Sequence, residues 1–399
     1  MAPVSHHQLH HKHMRHAIAL ARRGQGRVEP NPMVGCVVVR DEKVIASGYH
    51  RHFGGPHGEV DAISQLRNGH LATSGADIYV NLEPCSHYGK TPPCIDLLIK
   101  AGPRRIFVAM VDPFDQVNGR GIQQLRSAGI EVQVGLCEDQ ARDLNEPYLK
   151  RVSTGQPWVI AKWAQTVDGM IADSTGHSRW ISGCDSRRMV HKLRARVDAI
   201  VVAVGTAIVD DPLLTARDVP LGRIARRVVV DPQLRLPDSA RILQTADEEH
   251  PVALAASQEA LRNQPGRVKQ LQSRGIEVLA VPTSLSDPSR LVLSDLFKHM
   301  VGQWSATNVL VEGGAKLLGC VFAECLVDQV IVFVAPKMLG DQGATTAVAG
   351  FAGRSLESAD QFMLQRNMRV GEDVMLEYRV RRNSDSPGGA VERSIPSVS

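Results

Sequence analysis

Four residues set tight limits on what this chain can fold into: His57, Glu59, Cys85 and Cys94. Zinc takes imidazole and thiolate ligands, and a catalytic zinc keeps three protein ligands plus one open position. His57, Cys85 and Cys94 supply that donor set. Glu59, two residues past the histidine, can face the open position without ligating. Zinc brings the pKa of water toward about 7, and a carboxylate beside it can pass a proton to a leaving amino group. His57 and Cys94 stand where helices are expected to begin, and a helix N-terminus favours thiolate over thiol. A lone His-x-Glu or Pro-Cys is common loop decoration. All four in this order, with a strand-then-helix pattern at both ends, point to a zinc site that deaminates an aminopyrimidine. No fourth ligand is evident. Cys36 falls in an apolar strand and reads as core, and Cys137 has no partner motif. Gly89-Lys90-Thr91 resembles the end of a phosphate-binding loop, but the glycine such a loop needs five residues earlier is Pro84.

A stripe at Met14, Ala17, Ile18 and Ala21 predicts a helix over 7–23, with histidines 6–16 on its polar face. Val34–Val39 and Val44–Gly48 read as strands turning at Asp41-Glu42. Helices at 59–66, 94–101 and 122–128 then alternate with strands at 78–81, 106–109 and 132–135, predicting an α/β/α sandwich. Two prolines between Asn145 and Pro157 place a domain boundary there. A second α/β unit follows. Its expected strands are 158–164, 199–204, 228–230, 252–255, 278–280, 308–311 and 329–334. Its expected helices are 186–196, 267–273, 291–300 and 315–323. The domains are thus 1–147 and 157–382, with a Ser-, Pro- and Gly-rich disordered tail over 383–399. The 399 residues suffice for two cores. Seven cysteines without a dense framework, and no apolar run long enough for a membrane, indicate the cytoplasm. A net charge of only +4 argues against nucleic acid as a partner and is compatible with a small phosphorylated substrate. The apolar content permits a homo-oligomer.

The spacing of the two cysteines is wider than the Cys-x-x-Cys of cytidine deaminases. The stretch Pro84-Cys85-Ser86-His87 through Gly89-Lys90-Thr91-Pro92-Pro93-Cys94, with Pro30-Asn31-Pro32-Met33-Val34-Gly35-Cys36, resembles the bifunctional riboflavin-biosynthesis deaminase–reductase family. So do Val167-Asp168-Gly169, Trp180-Ile181-Ser182, Gly205-Thr206, Asp210-Asp211-Pro212 through Arg217, Val311-Glu312-Gly313-Gly314 and Ala335-Pro336-Lys337. The likeness spans about residues 10–380. It implies a cytidine-deaminase fold followed by a domain like dihydrofolate reductase. It also implies loss of the ring 2-amino group from a diaminopyrimidine ribotide, then reduction of its ribosyl group to ribityl by NADPH. In the family pattern His57, Cys85 and Cys94 hold one zinc per chain and Glu59 shuttles protons. Asn31, His50, His87 and Lys90 match positions facing the pyrimidine and its phosphate. Ser178, Arg194, Leu214, Arg217 and Glu312 match substrate contacts of the reductase. Ala164, Trp180, Thr206, Asp210 and the run Gly314, Ala315, Lys316, Leu317, Leu318, Gly319 and Cys320 match NADPH contacts. Lys162 lies near the reducing centre. Two positions depart: Gly58 replaces the usual alanine, which is expected to loosen the first helical turn, and Phe114-Asp115 replaces Asn-Pro.

From the residues alone, Glu312-Gly313-Gly314 before a helix is an anion-binding turn or merely a tight connection. It is not the dinucleotide fingerprint. Gly205-Thr206 to Pro212 reads as a polar loop at a strand's C-terminal end. Arg194 and Arg217 are candidates to grip phosphate or to be solvated surface charges. Two rival readings of the whole are a nucleic-acid base deaminase and a non-catalytic, zinc-stabilised partner of another enzyme.

Overall fold

A computed structural model describes residues 6–66, 73–89, 92–350, 355, 357 and 359–381. Lys90 and the tail expected over 383–399 lie outside the described residues.

The first half is built on a five-stranded sheet in the order β2-β1-β3-β4-β5. The strands are β1 Gly35–Arg40, β2 Lys43–Tyr49, β3 Asp77–Val80, β4 Arg105–Val108 and β5 Glu131–Val134. β1 pairs antiparallel with β2 and β3, and β3, β4 and β5 run parallel. The β1–β2 turn is the predicted pair: Asp41 and Glu42 adopt φ of 49° and 63°, the left-handed geometry that matches strand twist. Helices α1 His6–Ala21, α2 Gly58–Ile63, α3 Cys94–Ala101, α4 Arg120–Ser127 and α5 Glu138–Thr154 accompany the sheet. β1, β3 and β4 are almost wholly buried, as strands covered on both faces must be.

Two expectations change here. The histidines of α1 are not simply its polar face. His13 is buried, and His10 packs on Phe107 at 4.5 Å while its Nδ1 meets the Tyr79 hydroxyl at 2.6 Å. The stretch 145–157, read as a linker from its prolines, is helix as far as Thr154, with Pro147 inside it. A proline there breaks a helical hydrogen bond. Tertiary contacts offset this: Ala141 and Leu144 join the first core, and Asn145 and Tyr148 are buried.

The second half has a nine-stranded sheet in the order β11-β10-β9-β8-β12-β6-β13-β16-β15. Its strands are β6 Trp158–Gln165, β8 Ala199–Ala203, β9 Arg226–Val230, β10 Val252–Ser257, β11 Glu277–Val281, β12 Asn308–Glu312, β13 Gln329–Val334, β15 Phe362–Val370 and β16 Asp373–Val380. β7 Met170–Ala172 and β14 Thr345–Thr346 form a separate ribbon. The sheet is parallel up to β13, and β16 and β15 close it as an antiparallel hairpin. Helices α6 Cys184–Arg194, α7 Val204–Asp210, α8 Arg241–Gln244, α9 Gln258–Asn263, α10 Pro265–Ser273, α11 Leu293–Trp304 and α12 Ala315–Ala323 fill the connections. Buried apolar clusters lie on the two faces of this sheet. The segment after Gly205, read as a polar loop, is instead α7. The β15–β16 hairpin was not foreseen; much of β15 is exposed and carries no strong apolar alternation.

Candidate active sites

His57 is the N-cap of α2, and Cys94 is the first residue of α3. Cys85 follows β3 by a short loop. Their donor atoms converge: His57 Nδ1 lies 3.5 Å from Cys85 Sγ and 3.3 Å from Cys94 Sγ. Tetrahedral zinc with bonds of about 2.0 and 2.3 Å holds a nitrogen and a sulfur roughly 3.5 Å apart. The triad therefore fits zinc in both chemistry and spacing, and it is the grouping of His, Cys, Asp and Glu among the described residues able to hold a metal. The hydrogen bond from Cys94, with help from His57, holds the Cys85 thiol well down, and the same bond together with burial pushes Cys94 up. Cys36 is fully buried core, as expected.

Glu59 is 1% exposed, and its Oε2 has no hydrogen-bond partner among the described residues. Burial pushes its carboxyl up to about 7. An orphaned buried carboxylate oxygen is costly unless a ligand completes it. Gly58 also has a packing role. A Cβ there would lie 2.9 Å from the Val34 carbonyl, so the glycine lets α2 approach β1.

A cavity of about 380 Å³ opens over His57 and Cys85, with Asn31, Glu59, His87, Phe114, Tyr148 and Arg151 among its lining residues. Asn31 Nδ2 meets Nε2 of His50 at 3.3 Å, while His50 Nδ1 donates to the Pro56 carbonyl at 2.9 Å. His50 is 1% exposed, and burial lowers it to about 4, so it stays neutral and orients Asn31. Phe114, where the family pattern was expected to fail, lines the cavity, whereas Asp115 is exposed.

Buried polar residues that sequence reasoning missed hold these walls. Asn81 accepts from Gly35 N at 2.7 Å and donates to Met33 O at 2.9 Å. Asn145 accepts from Met33 N at 2.8 Å and donates to the same carbonyl at 3.0 Å. Glu83 accepts from the backbone N–H groups of Asp112, Gly119, Gly121 and Ile122. The Tyr148 hydroxyl donates to Asp112 at 3.0 Å, and burial raises Asp112 to about 6.

The second site lies where adjacent parallel strands end, the usual place for ligands in such sheets. Lys162 on β6 and Glu312 on β12 are register partners. Glu312 accepts from Arg194 Nε at 2.6 Å and Nη2 at 3.0 Å, and from Lys162 Nζ at 3.3 Å. Burial alone would raise Glu312, but Arg194 and Lys162 outweigh it and hold it at about 2. Arg194 Nη1 reaches Thr215 O at 3.3 Å, and Arg217 Nη1 reaches Thr215 Oγ1 at 2.9 Å. Arg194 is thus engaged by Glu312 rather than lying as a free surface charge. Leu214 is buried beside this network with φ of 55°. The Ser178 hydroxyl donates to Asp210 at 3.0 Å. Trp180 is 61% exposed and stacks under Arg187.

Gly313 and Gly314 take φ of 75° and 81°, and a Cβ on Gly314 would meet Thr206 Oγ1 at 3.0 Å. The turn therefore needs glycine, and it brings Thr206 to the start of α12. The N-terminus of α12 has no side-chain cap, leaving backbone N–H groups for an anion. Leu317 and Leu318 bury their side chains in the core, so those positions have only backbone to offer. Ala164 pairs with Phe333 on the neighbouring strand.

The family described as cytidine and deoxycytidylate deaminase zinc-binding region matches residues 7–110. The family described as RibD C-terminal domain matches residues 157–376. Riboflavin biosynthesis protein RibD of Aquifex aeolicus is 37% identical over 92% of this chain and 97% of its own. Among solved structures, Acinetobacter baumannii RibD is 35% identical with a TM-score of 0.81, covering 94% of this chain and 100% of that one. A diaminohydroxyphosphoribosylaminopyrimidine deaminase/5-amino-6-(5-phosphoribosylamino)uracil reductase from Thermotoga maritima is 32% identical with a TM-score of 0.80 over the same shares. The two halves thus have the cytidine-deaminase-like and dihydrofolate-reductase-like folds that the motifs implied. The chain belongs to the RibD family of bifunctional deaminase–reductases of riboflavin biosynthesis.

Proposed function

We propose that this chain performs two successive steps at two sites. The first is hydrolytic deamination of 2,5-diamino-6-(5-phosphoribosylamino)pyrimidin-4(3H)-one. The second is NADPH-dependent reduction of the ribosyl group of 5-amino-6-(5-phosphoribosylamino)uracil to ribityl. The observation that carries the reading is the His57–Cys85–Cys94 triad beside the partnerless Glu59 oxygen in one cavity.

His57, Cys85 and Cys94 would hold the zinc, which supplies Lewis acidity that brings the pKa of water toward about 7. Glu59 takes the two protons of the attacking water in turn, passing the first to the ring nitrogen and the second to the departing amine. A C–O bond forms at the ring carbon, the C–N bond breaks and ammonia leaves. The deep burial of Glu59 favours this two-way traffic, because neither protonation state is strongly preferred near neutrality. Asn31 and His87 bind the pyrimidine, with His50 orienting Asn31.

At the second site the Gly313-Gly314 turn, the α12 N-terminus, Thr206, Asp210, Ala164 and Trp180 would hold NADPH, which supplies the hydride. Ser178, Leu214, Arg217 and the Lys162–Glu312–Arg194 network would hold the ribotide. The two units divide at Gly155–Pro157, after α5, whose residues Ala141 and Leu144 belong to the first core. No described helix is long and apolar enough to cross a membrane, and all seven cysteines are free thiols, which supports a reducing cytoplasm.

The test is zinc per chain together with ammonia release from the diaminopyrimidine ribotide, for native protein and Glu59→Gln. Native protein should hold about one zinc and turn over. The variant should keep zinc and lose turnover by at least about a hundredfold. Normal turnover in the variant would remove Glu59 from the mechanism.

A further inference from the structure

We infer that Arg151 is a substrate-anchoring residue of the deaminase cavity, receiving the phosphate at the ribosyl end of the ribotide. This rests on the deaminase reading above. Arg151 lies on α5, one turn beyond Tyr148, and both line the same cavity as Glu59, His57 and Cys85. Asn145, Tyr148 and Val152 share this face of the helix at i, i+3 and i+7 spacing. Asn145 pins Met33 and Tyr148 pins Asp112, so the face is held firmly against the cavity wall.

The guanidinium is not committed within the protein. Its Nε is buried without a hydrogen-bond partner, and it forms no ion pair among the described residues. A carboxylate near enough to act on it, Asp198, already accepts from Arg223 and from the backbone N–H groups of Thr307 and Asn308. A buried donor without a partner is costly and marks a place where a ligand completes the structure.

The charge balance of the cavity points the same way. Its described lining includes the carboxylates of Glu59, Glu83 and Asp112, and Arg151 is its one ammonium or guanidinium group among the described lining residues. A phosphomonoester dianion entering past three carboxylates needs cations beyond Lys90, whose place in the family pattern faces the pyrimidine and its phosphate and which lies outside the described residues, and arginine's planar fork suits phosphate oxygens bidentately. On this assignment Arg151 grips the phosphate end of the substrate, while Glu59 and the triad take the reacting carbon. Its contribution belongs to ground-state and transition-state binding alike, so it lowers KM rather than raising kcat.

The experiment compares native protein, Arg151→Met and Arg151→Lys on the ribotide and on the corresponding riboside, which lacks the phosphate. Arg151→Met should raise KM for the ribotide at least tenfold with little change in kcat. The preference for ribotide over riboside in kcat/KM should fall by the same factor, and Arg151→Lys should restore part of it. An unchanged preference, or an equal fall on both substrates, would overturn the assignment. Calorimetric titration with ribose 5-phosphate gives a reading independent of turnover: native protein should show a binding site that Arg151→Met lacks. Identical titrations would count against Arg151 whatever the chemistry. A native protein that releases no ammonia from either substrate would sink the deaminase reading itself, leaving the titration to decide Arg151.

Discussion

The two sites differ in how far the protein satisfies its own charged groups. In the second half, Lys162, Glu312 and Arg194 form a closed network in which both oxygens of the buried carboxylate meet cations. In the first half, Glu59 Oε2, Arg151 Nε and His87 Nδ1 are buried without hydrogen-bond partners among the described residues. Low-dielectric surroundings make an unpaired polar group expensive and a paired one rigid. The first site is therefore completed by what it binds. The second is held together by its own ion pairs before anything binds.

The largest effect should come from breaking the metal triad. Cys85→Ala is expected to abolish zinc retention and to lower ammonia release at least about a thousandfold, given what a bound metal contributes. NADPH-dependent reduction of the already deaminated ribotide should stay within twofold of native. Metal analysis with separate assays of the two half-reactions checks this, and parallel loss of both would contradict independent sites.

Next is Glu312→Gln, which strands two buried cations. Removing one partner of a buried pair costs roughly 3–5 kcal/mol. The second half should unfold at lower denaturant in the variant while the first half is unchanged, as read by amide exchange in each half.

Acid should separate the halves with opposite signs. Glu312 is held at about 2, below the usual carboxylate range, so its stabilisation is complete above about pH 4.5 and is lost as pH falls toward 2. Asp112 is raised to about 6 by burial, so its charged form destabilises the fold above that pH, and the cost is relieved as pH falls through 6 toward 4. Each shift corresponds to about 3 kcal/mol at most. Between pH 7 and 5, exchange in the segment around Asp112 should slow after correction for intrinsic rates, with that around Glu312 unmoved. Below pH 4 the Glu312 region should open first. Equal responses would dissolve the contrast.

The smallest effect is Gly58→Ala. Alanine gains about 1 kcal/mol of helix propensity. Its Cβ at 2.9 Å from the Val34 carbonyl must push α2 off β1, which more than offsets that gain. A fall in thermal midpoint of a few degrees, with weaker zinc retention, is expected; a rise would show that α2 accommodates the methyl group.

The parts legible in the sequence were those where chemistry is concentrated in short motifs. His57, Glu59, Cys85 and Cys94 need so specific a combination of donors that order and spacing suffice. The Asp41-Glu42 turn and the buried strands also follow from local pattern. What escaped depends on distant partners. Pro147 argues locally for a break, and only burial of Asn145 and Tyr148 against the first sheet shows why α5 runs through it. The grips of Asn81 and Asn145 on Met33 are single residues reaching across 48 and 112 positions, and no periodicity announces them. The α5 side of the deaminase cavity was missed for the same reason: its residues lie in a stretch that reads as a linker.

The most direct test of two reactions at two sites is one preparation fed the diaminopyrimidine ribotide while ammonia and NADPH are followed together. Ammonia release is expected without NADPH, followed by NADPH oxidation that never exceeds the ammonia already released. In Glu59→Gln, NADPH oxidation from that substrate should vanish, yet persist from the deaminated ribotide. Oxidation of NADPH by the Glu59→Gln protein on the un-deaminated substrate at the native rate would contradict that order.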